Sequence, residues 1–232
     1  MQTRSYRQNA VYAGVFFIIA TAFLFVGEAI YGPPLKAPDV LETAAAAASR
    51  IRLGIMIEFS CVLAIPLVAV ALYPVLRLVS PALAIGYVAF RLFEAAIFAG
   101  MEIDRMFVLA LSEAHLANPG ADAATLQVMV TALIGGEAFS GISGAIYNLG
   151  FMIGMLMLNW MFWTSRLVPR WIAGWGIVTA VVLGTLSVAA LFVAVPNAVA
   201  IALIAPLAVQ EMVLAGWFIV KGFDQTALAR LG

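Results

Sequence analysis

The chain has 232 residues, 65% of them apolar and only 10% charged, against roughly 45–50% and about 25% in water-soluble domains. Twelve cations and twelve anions cannot cover a water-facing surface of that size, so the composition excludes a soluble globular protein and makes lipid the solvent. Zero net charge without a basic run gives no footprint for nucleic acid; a lone Cys61 allows no intramolecular disulfide; a lone His115 excludes bis-histidine haem and multi-histidine zinc sites.

A membrane-crossing helix needs about 20 apolar residues to span a hydrocarbon core of roughly 30 Å. Six stretches meet that requirement, at residues 9–31, 53–76, 81–103, 138–163, 171–195 and 197–220. The first follows Arg4 and Arg7, but its apolar run is too long for a signal peptide and no small-x-small cleavage site follows; it is expected to be a retained span. Residues 38–50 open on Pro38 and Asp39 and continue through Glu42 and Ala44 to Ala48, which predicts a short amphipathic helix. Ser80-Pro81 is a tight turn between the second and third spans. Residues 122–134 predict a second amphipathic helix at the membrane surface, broken from the fourth span by Gly135-Gly136. Val168-Pro169 and Pro196-Asn197 separate the last three spans. The apolar runs are continuous and do not alternate, which argues against a membrane β-barrel. The expected fold is all-α: one transmembrane domain over 1–232, a polytopic bundle of about six spans with short amphipathic helices in the outer loops and no internal repeat.

Lysine and arginine in the loops orient such a bundle. Arg4, Arg7, Arg77, Arg166, Arg170, Lys221 and Arg230 fall on one side, and Lys36, Arg50, Arg52 and Arg105 on the other, among Asp39, Glu42, Asp104, Glu113 and Asp122. Seven against four is expected to put both termini in the cytoplasm. Trp160, Trp163, Trp171, Trp175 and Trp217 cluster toward the same side as an aromatic belt.

An ionisable side chain at the bilayer centre costs around 2.5–3.5 kcal/mol, so each one inside a span is a functional candidate. Glu28, Glu58, Arg91, Glu94, Glu137 and Glu211 are such residues. At about 100° per residue, Arg91, Glu94, Glu102 and Arg105 share one sector of the third span, while Asp104 points elsewhere. A stripe on the fourth span carries Glu137, Asn148 and Asn159 with Gly141 and Gly144, and Gly150-x-x-x-Gly154 is a packing motif. Gln210 and Glu211 sit near mid-membrane beside Pro206, which can loosen a turn. The pattern predicts an outward-opening polar cavity. Arg91, Glu94, Asn148, Gln210 and Glu211 would bind a ligand within it, and Glu28, Glu58, Glu102 and Glu137 would stand at its mouth.

Structural roles compete with that reading at each position. Arg91 and Glu94, at i and i+3, can simply neutralise each other; Asn148 and Asn159 can be interhelical glue; and Glu28, Glu58 and Glu137 can be rim residues reaching water. His115 is expected in a solvated loop, and Cys61 and the ten methionines as filler.

Four segments carry a family resemblance: Arg52-Leu53-Gly54, Phe90-Arg91-Leu92-Phe93-Glu94-Ala95, Ser165-Arg166-Leu167-Val168-Pro169-Arg170-Trp171, and Gln210-Glu211 with Trp217 and Lys221-Gly222-Phe223. In order and spacing the chain resembles the bacterial integral-membrane family catalogued as domain-of-unknown-function family 4386. The resemblance implies a polytopic fold in the inner membrane of a bacterial cell and singles out Arg52, Arg91, Glu94, Pro169, Arg170, Glu211 and Lys221, but it implies no reaction or ligand.

Three functions compete. The first is binding or transport of a cation, proton or small amphipathic molecule, which lacks support from inverted repeats. The second is a non-catalytic subunit or sensor packing against a protein, pigment, lipid or second copy of the chain. The third is an intramembrane enzyme using a carboxylate or a hard divalent metal, though Ser140 and Ser143 near Glu137 have no histidine beside them. No particular cofactor is indicated. The discriminating feature is whether Glu94 and Glu211 line one cavity.

Overall fold

A computed structural model describes residues 2–118, 122–134, 142–193 and 195–231. Among these the secondary structure is wholly helical: α1 (Gln2–Leu35), α2 (Val40–Ala46), α3 (Ala48–Val79), α4 (Pro81–Ala117), α5 (Ala123–Ile134), α6 (Ile142–Ser165), α7 (Arg170–Ala190), α8 (Asn197–Val220) and α9 (Gln225–Ala229). Six helices are long and apolar enough to cross a membrane, over Tyr6–Leu35, Ala48–Val79, Pro81–Ala117, Ser143–Ser165, Arg170–Ala190 and Ile201–Val220. Helices are the natural answer in hydrocarbon, where each backbone group must find its partner within its own segment. The chain is thus an all-α, multi-span membrane protein. Glu137, Ser140, Gly141 and the Gly135-Gly136 break lie outside the described residues.

The six long helices alternate in direction. One face of the bundle carries both ends of the described chain, the Ser80 turn between α3 and α4, and the α6–α7 link; the opposite face carries α2 and α5. Ser80 caps α4, its Oγ accepting from the Leu83 amide at 3.3 Å, with Pro81 at the first helical position. At the end of α8, Arg7 donates to the carbonyls of Phe218 at 2.8 Å and Ile219 at 2.6 Å, placing a cation at a helix C-terminus.

Two stretches differ from the sequence expectation. The predicted helix at 38–50 is divided at Ala47, so α2 stops at Ala46 and α3 starts at Ala48. Helix α4 continues to Ala117, well beyond the expected end at residue 103. The extension keeps an apolar face, with Val108 and Leu109 buried against α2 and α5 beside Val40, Leu41 and Val130. It also bonds to α2: Ser112 Oγ accepts from the Ala45 amide at 2.9 Å and donates to the Leu41 carbonyl. Pro206, expected to loosen a turn, lies inside α8, which is helical on both sides of it.

Small residues set the helix spacing. A Cβ on Gly27 of α1 would lie 2.6 Å from Glu58 Cβ and 2.8 Å from the Gly54 carbonyl of α3, so these helices touch backbone to backbone. Gly14 makes the same approach to the Ala215 carbonyl of α8, at 2.7 Å. The densest core lies toward the termini, where Phe218 meets Phe17, Phe162 and Phe223 at centroid distances of 6.5, 5.8 and 5.4 Å. A smaller cluster of Ala20, Cys61, Ile65, Phe98 and Met101 occupies the middle. Between that cluster and the α2 face, the long helices leave space.

Candidate functional site

That space is a cavity of about 560 Å³, lined from α1, α3, α4, α6, α7 and α8, with Ile134 of α5 also on its wall. Most of its lining is aliphatic or aromatic, including Leu24, Phe25, Phe98, Phe151, Ile204 and Leu207. Four carboxyl groups (Glu28, Glu58, Glu94, Glu211) and three cations (Lys36, Arg91, Arg105) interrupt it.

The innermost pair is Arg91 and Glu94, one helical turn apart on the buried face of α4 and each 1% exposed. Arg91 Nη1 lies 2.9 Å from Glu94 Oε2, an ion pair whose alignment falls short of a directed hydrogen bond. The pair is braced from other helices: the guanidinium lies 5.5 Å over the Phe151 ring, and Tyr147 OH donates to Glu94 Oε1 at 3.5 Å. Tyr147 is held in turn between Phe98 at 5.4 Å and Phe151 at 6.4 Å.

Glu211 comes to the same cavity from α8. Its Oε2 accepts from Thr21 Oγ1 of α1 at 3.1 Å. Among the described residues no cation stands within ion-pair distance of it, whereas Glu28, Glu58, Glu94 and Glu102 all have one. Among the described residues, Glu211 is therefore the buried carboxyl without a cation at contact distance.

Toward the α2 face the charges form a second group. Arg105 Nη1 lies 2.8 Å from Glu102 Oε1 and 3.5 Å from Glu58 Oε2, and its guanidinium is 4.7 Å over the Tyr31 ring. Glu28 pairs with the exposed Lys36 one step further out. Asn148 lines the cavity from α6.

The sequence expectations thus have four outcomes. Arg91, Glu94, Asn148, Glu211, Glu28 and Glu58 all line one cavity. Glu102 does not line the cavity but pairs with Arg105, which does. Gln210 does not line it: its Nε2 donates to the Ile172 carbonyl at 3.2 Å and toward Asn159 Oδ1 at 3.5 Å, in a buried seam between α6, α7 and α8. Asn159 belongs to that seam, donating to the Met155 carbonyl at 2.9 Å and packing on Gly176 of α7. Glu137, the last residue expected at the mouth, lies outside the described residues.

Arg105 is the principal residue whose role sequence reasoning missed. It shares the α4 sector with Arg91 and Glu94, and that periodicity already turns it toward the bundle interior; what the sequence does not give is its place on the cavity wall, between Glu102 and Glu58 of α3. Thr21 and Tyr147, a hydroxyl each for Glu211 and Glu94, carried no signal, because neither is costly in a span. Among the described residues no group of three or more His, Cys, Asp or Glu side chains is placed to hold a metal ion.

Residues 12–222 match the family model described as "Domain of unknown function (DUF4386)", and the chain belongs to that family. No curated protein and no solved structure matches the chain.

Proposed function

We propose that this member of the family binds a small amphipathic ligand, its apolar body in the cavity and a cationic or hydrogen-bond-donating head at Glu211. The observation that carries the reading is Glu211 itself: 9% exposed, on an otherwise mainly apolar cavity, with a hydroxyl but no cation at contact distance among the described residues. A buried carboxyl without a cation is costly in a membrane protein, and a ligand head group is one way to offset that cost. The volume of about 560 Å³ lies within the roughly 300–1,000 Å³ typical of small-molecule sites.

The rim supports entry from the bilayer. Phe25 of α1 and Ile201 of α8 line the cavity and are exposed, which suits lateral entry between these helices. In this reading the basic termini face is cytoplasmic by the positive-inside rule, and the cavity opens to the opposite side. Removing the buried Arg105 from the loop count sharpens the asymmetry to seven cations against three. The Phe17, Phe162 and Phe218 core closes the bundle below the cavity, so the reading is one of binding; transport would require that core to part.

The test uses tetraphenylphosphonium as a lipophilic cation and tetraphenylborate as its near-isosteric anion, measured by equilibrium dialysis against the full chain in a non-ionic detergent. The cation is expected to bind more tightly than the anion, and Glu211→Gln to weaken cation binding about tenfold, as loss of a charge–charge attraction of roughly 1.5 kcal/mol implies. Equal binding of cation and anion, or unchanged cation binding in Glu211→Gln, refutes the proposal.

A further inference from the structure

The termini face has a second pocket, of about 550 Å³, at the far end of the bundle from Lys36 and Glu28. It forms where the α6–α7 link meets the segment after α8, and the two are joined by the Asp224 amide donating to the Leu167 carbonyl at 2.9 Å. Arg166, Arg170 and Lys221 line it together with Trp217. Asp224 is the carboxylate on this wall, and it is already engaged, accepting from the Ala227 amide at 2.7 Å to cap α9.

At the other end of the bundle Lys36, Arg52 and Arg105 each pair with a carboxylate, and Arg50 donates through Nε to the Ile30 carbonyl at 2.7 Å. Among the described residues, Arg166, Arg170 and Lys221 pair with none. Arg170 is held by its ring contact, 5.2 Å over Trp163, with Nε donating to the Trp163 carbonyl at 3.3 Å. Arg166 is held by its backbone. It ends α6 at φ 62°, the left-handed conformation in which glycine is the unstrained occupant, and its amide donates to the Phe162 carbonyl at 2.9 Å. Gly222, on the same pocket wall, has φ 73° and is the residue such a backbone favours. An arginine at the equivalent kind of position costs backbone energy that a glycine would avoid, which points to use of its side chain.

We infer that this pocket binds the phosphate of an anionic phospholipid head group. Three cations against one carboxylate leave this wall net positive, which matches a phosphate's charge and its several acceptor oxygens. The lipid source follows from position: the pocket lies at the ends of membrane-crossing helices, with Trp217 on its wall and Trp163 and Trp171 beside it, ring types that sit at head-group level. This site is independent of the cavity proposed above, and neither proposal's failure bears on the other.

The full chain in zwitterionic detergent would be titrated with phosphatidylglycerol, phosphatidylcholine or glycerol phosphate, and occupancy read by native mass spectrometry. Phosphatidylglycerol is expected to bind more tightly than phosphatidylcholine. Arg166→Gly combined with Lys221→Gln should weaken phosphatidylglycerol by roughly 25-fold, about fivefold per cation removed. Arg166→Gly suits the left-handed backbone, so this change does not threaten the fold. Arg77→Gln combined with Arg230→Gln removes the same charge from the same face outside the pocket and should change affinity by less than about threefold. Equal losses in the two double variants would mean diffuse surface attraction and overturn the site. Glycerol phosphate binding as tightly as phosphatidylglycerol would overturn the lipid assignment in favour of a soluble phosphate.

Discussion

Substituting Arg105 by methionine tests whether the charged group at the α2 end of the cavity is held together by one guanidinium. Arg105 is 4% exposed, and it pairs with Glu102 at 2.8 Å and Glu58 at 3.5 Å, residues that are 3% and 2% exposed. Methionine preserves most of the side-chain volume and leaves both carboxyl groups buried without their cation. Breaking a buried pair in this way costs about 3–5 kcal/mol, mostly as the penalty of the stranded partners and not as the worth of the contact. The lost contact with the Tyr31 ring at 4.7 Å falls within that range. At roughly 2–4 °C per kcal/mol for a chain of this length, the apparent Tm in detergent at fixed scan rate should fall by roughly 6–20 °C. The informative comparison is the triple variant Arg105→Met, Glu58→Gln, Glu102→Gln, which removes the cation and both formal charges together. It should recover to within about 1–2 kcal/mol of the parent, because an apolar or neutral replacement of a whole buried ion group is nearly neutral. A loss below about 3 °C in the single variant, or a triple variant no more stable than the single, would refute the argument that Arg105 organises these carboxyl groups.

Three further outcomes follow from the packing and caps. Gly27→Ala should destabilise by about 1–3 kcal/mol in thermal unfolding, since its Cβ would press on the Gly54 carbonyl and Glu58; Gly100→Ala, with nothing within 4 Å, should be neutral or slightly stabilising. Arg7→Ala should cost about 1–2 kcal/mol and raise hydrogen exchange near Lys221 and Gly222, because the Phe218 and Ile219 carbonyls lose their donor. Asp122 accepts from Thr125 Oγ1 at 2.5 Å and the Ala124 amide at 3.1 Å, and these bonds hold its carboxyl below the ordinary aspartate value of 3.8. A lowered folded pKa means its contribution to the first turn of α5 is present above 3.8 and lost as pH falls below it; amide exchange at Ala124 should show that loss, and Asp122→Asn should remove the pH dependence.

Much of the candidate site was legible along the chain because membrane energetics makes a misplaced charge conspicuous. Arg91, Glu94 and Glu211 stand out in apolar runs, and helical periodicity puts Arg105 on the same face of α4 as Arg91 and Glu94. The limits of α4 were less legible. Hydropathy falls away after residue 103, yet the helix runs to Ala117, because α2 and α5 cover it and Ser112 bonds to α2. Gln210 and Glu211 are adjacent and equally polar, but successive residues on a helix point about 100° apart. One enters the seam with Asn159 and Ile172, and the other reaches the cavity.

What the chain alone determined is therefore local: lipid as the solvent, six apolar helices, and the particular polar residues that such a solvent does not tolerate without a partner. These follow from hydropathy and the 3.6-residue period, which need only near neighbours. The tertiary structure decided the pairing. Arg91–Glu94 and Arg105–Glu102 are one-turn pairs within α4, but only the packing brings Glu58 of α3 to Arg105 and leaves Glu211 with the hydroxyl of Thr21. The assignments of Glu58 and Glu211 depend on the register of α1, α3, α4 and α8 against one another, set by close approaches such as Gly27 on Gly54 and Gly14 on Ala215. Register of that kind is a property of surfaces from distant parts of the chain meeting, so no single stretch of sequence carries it.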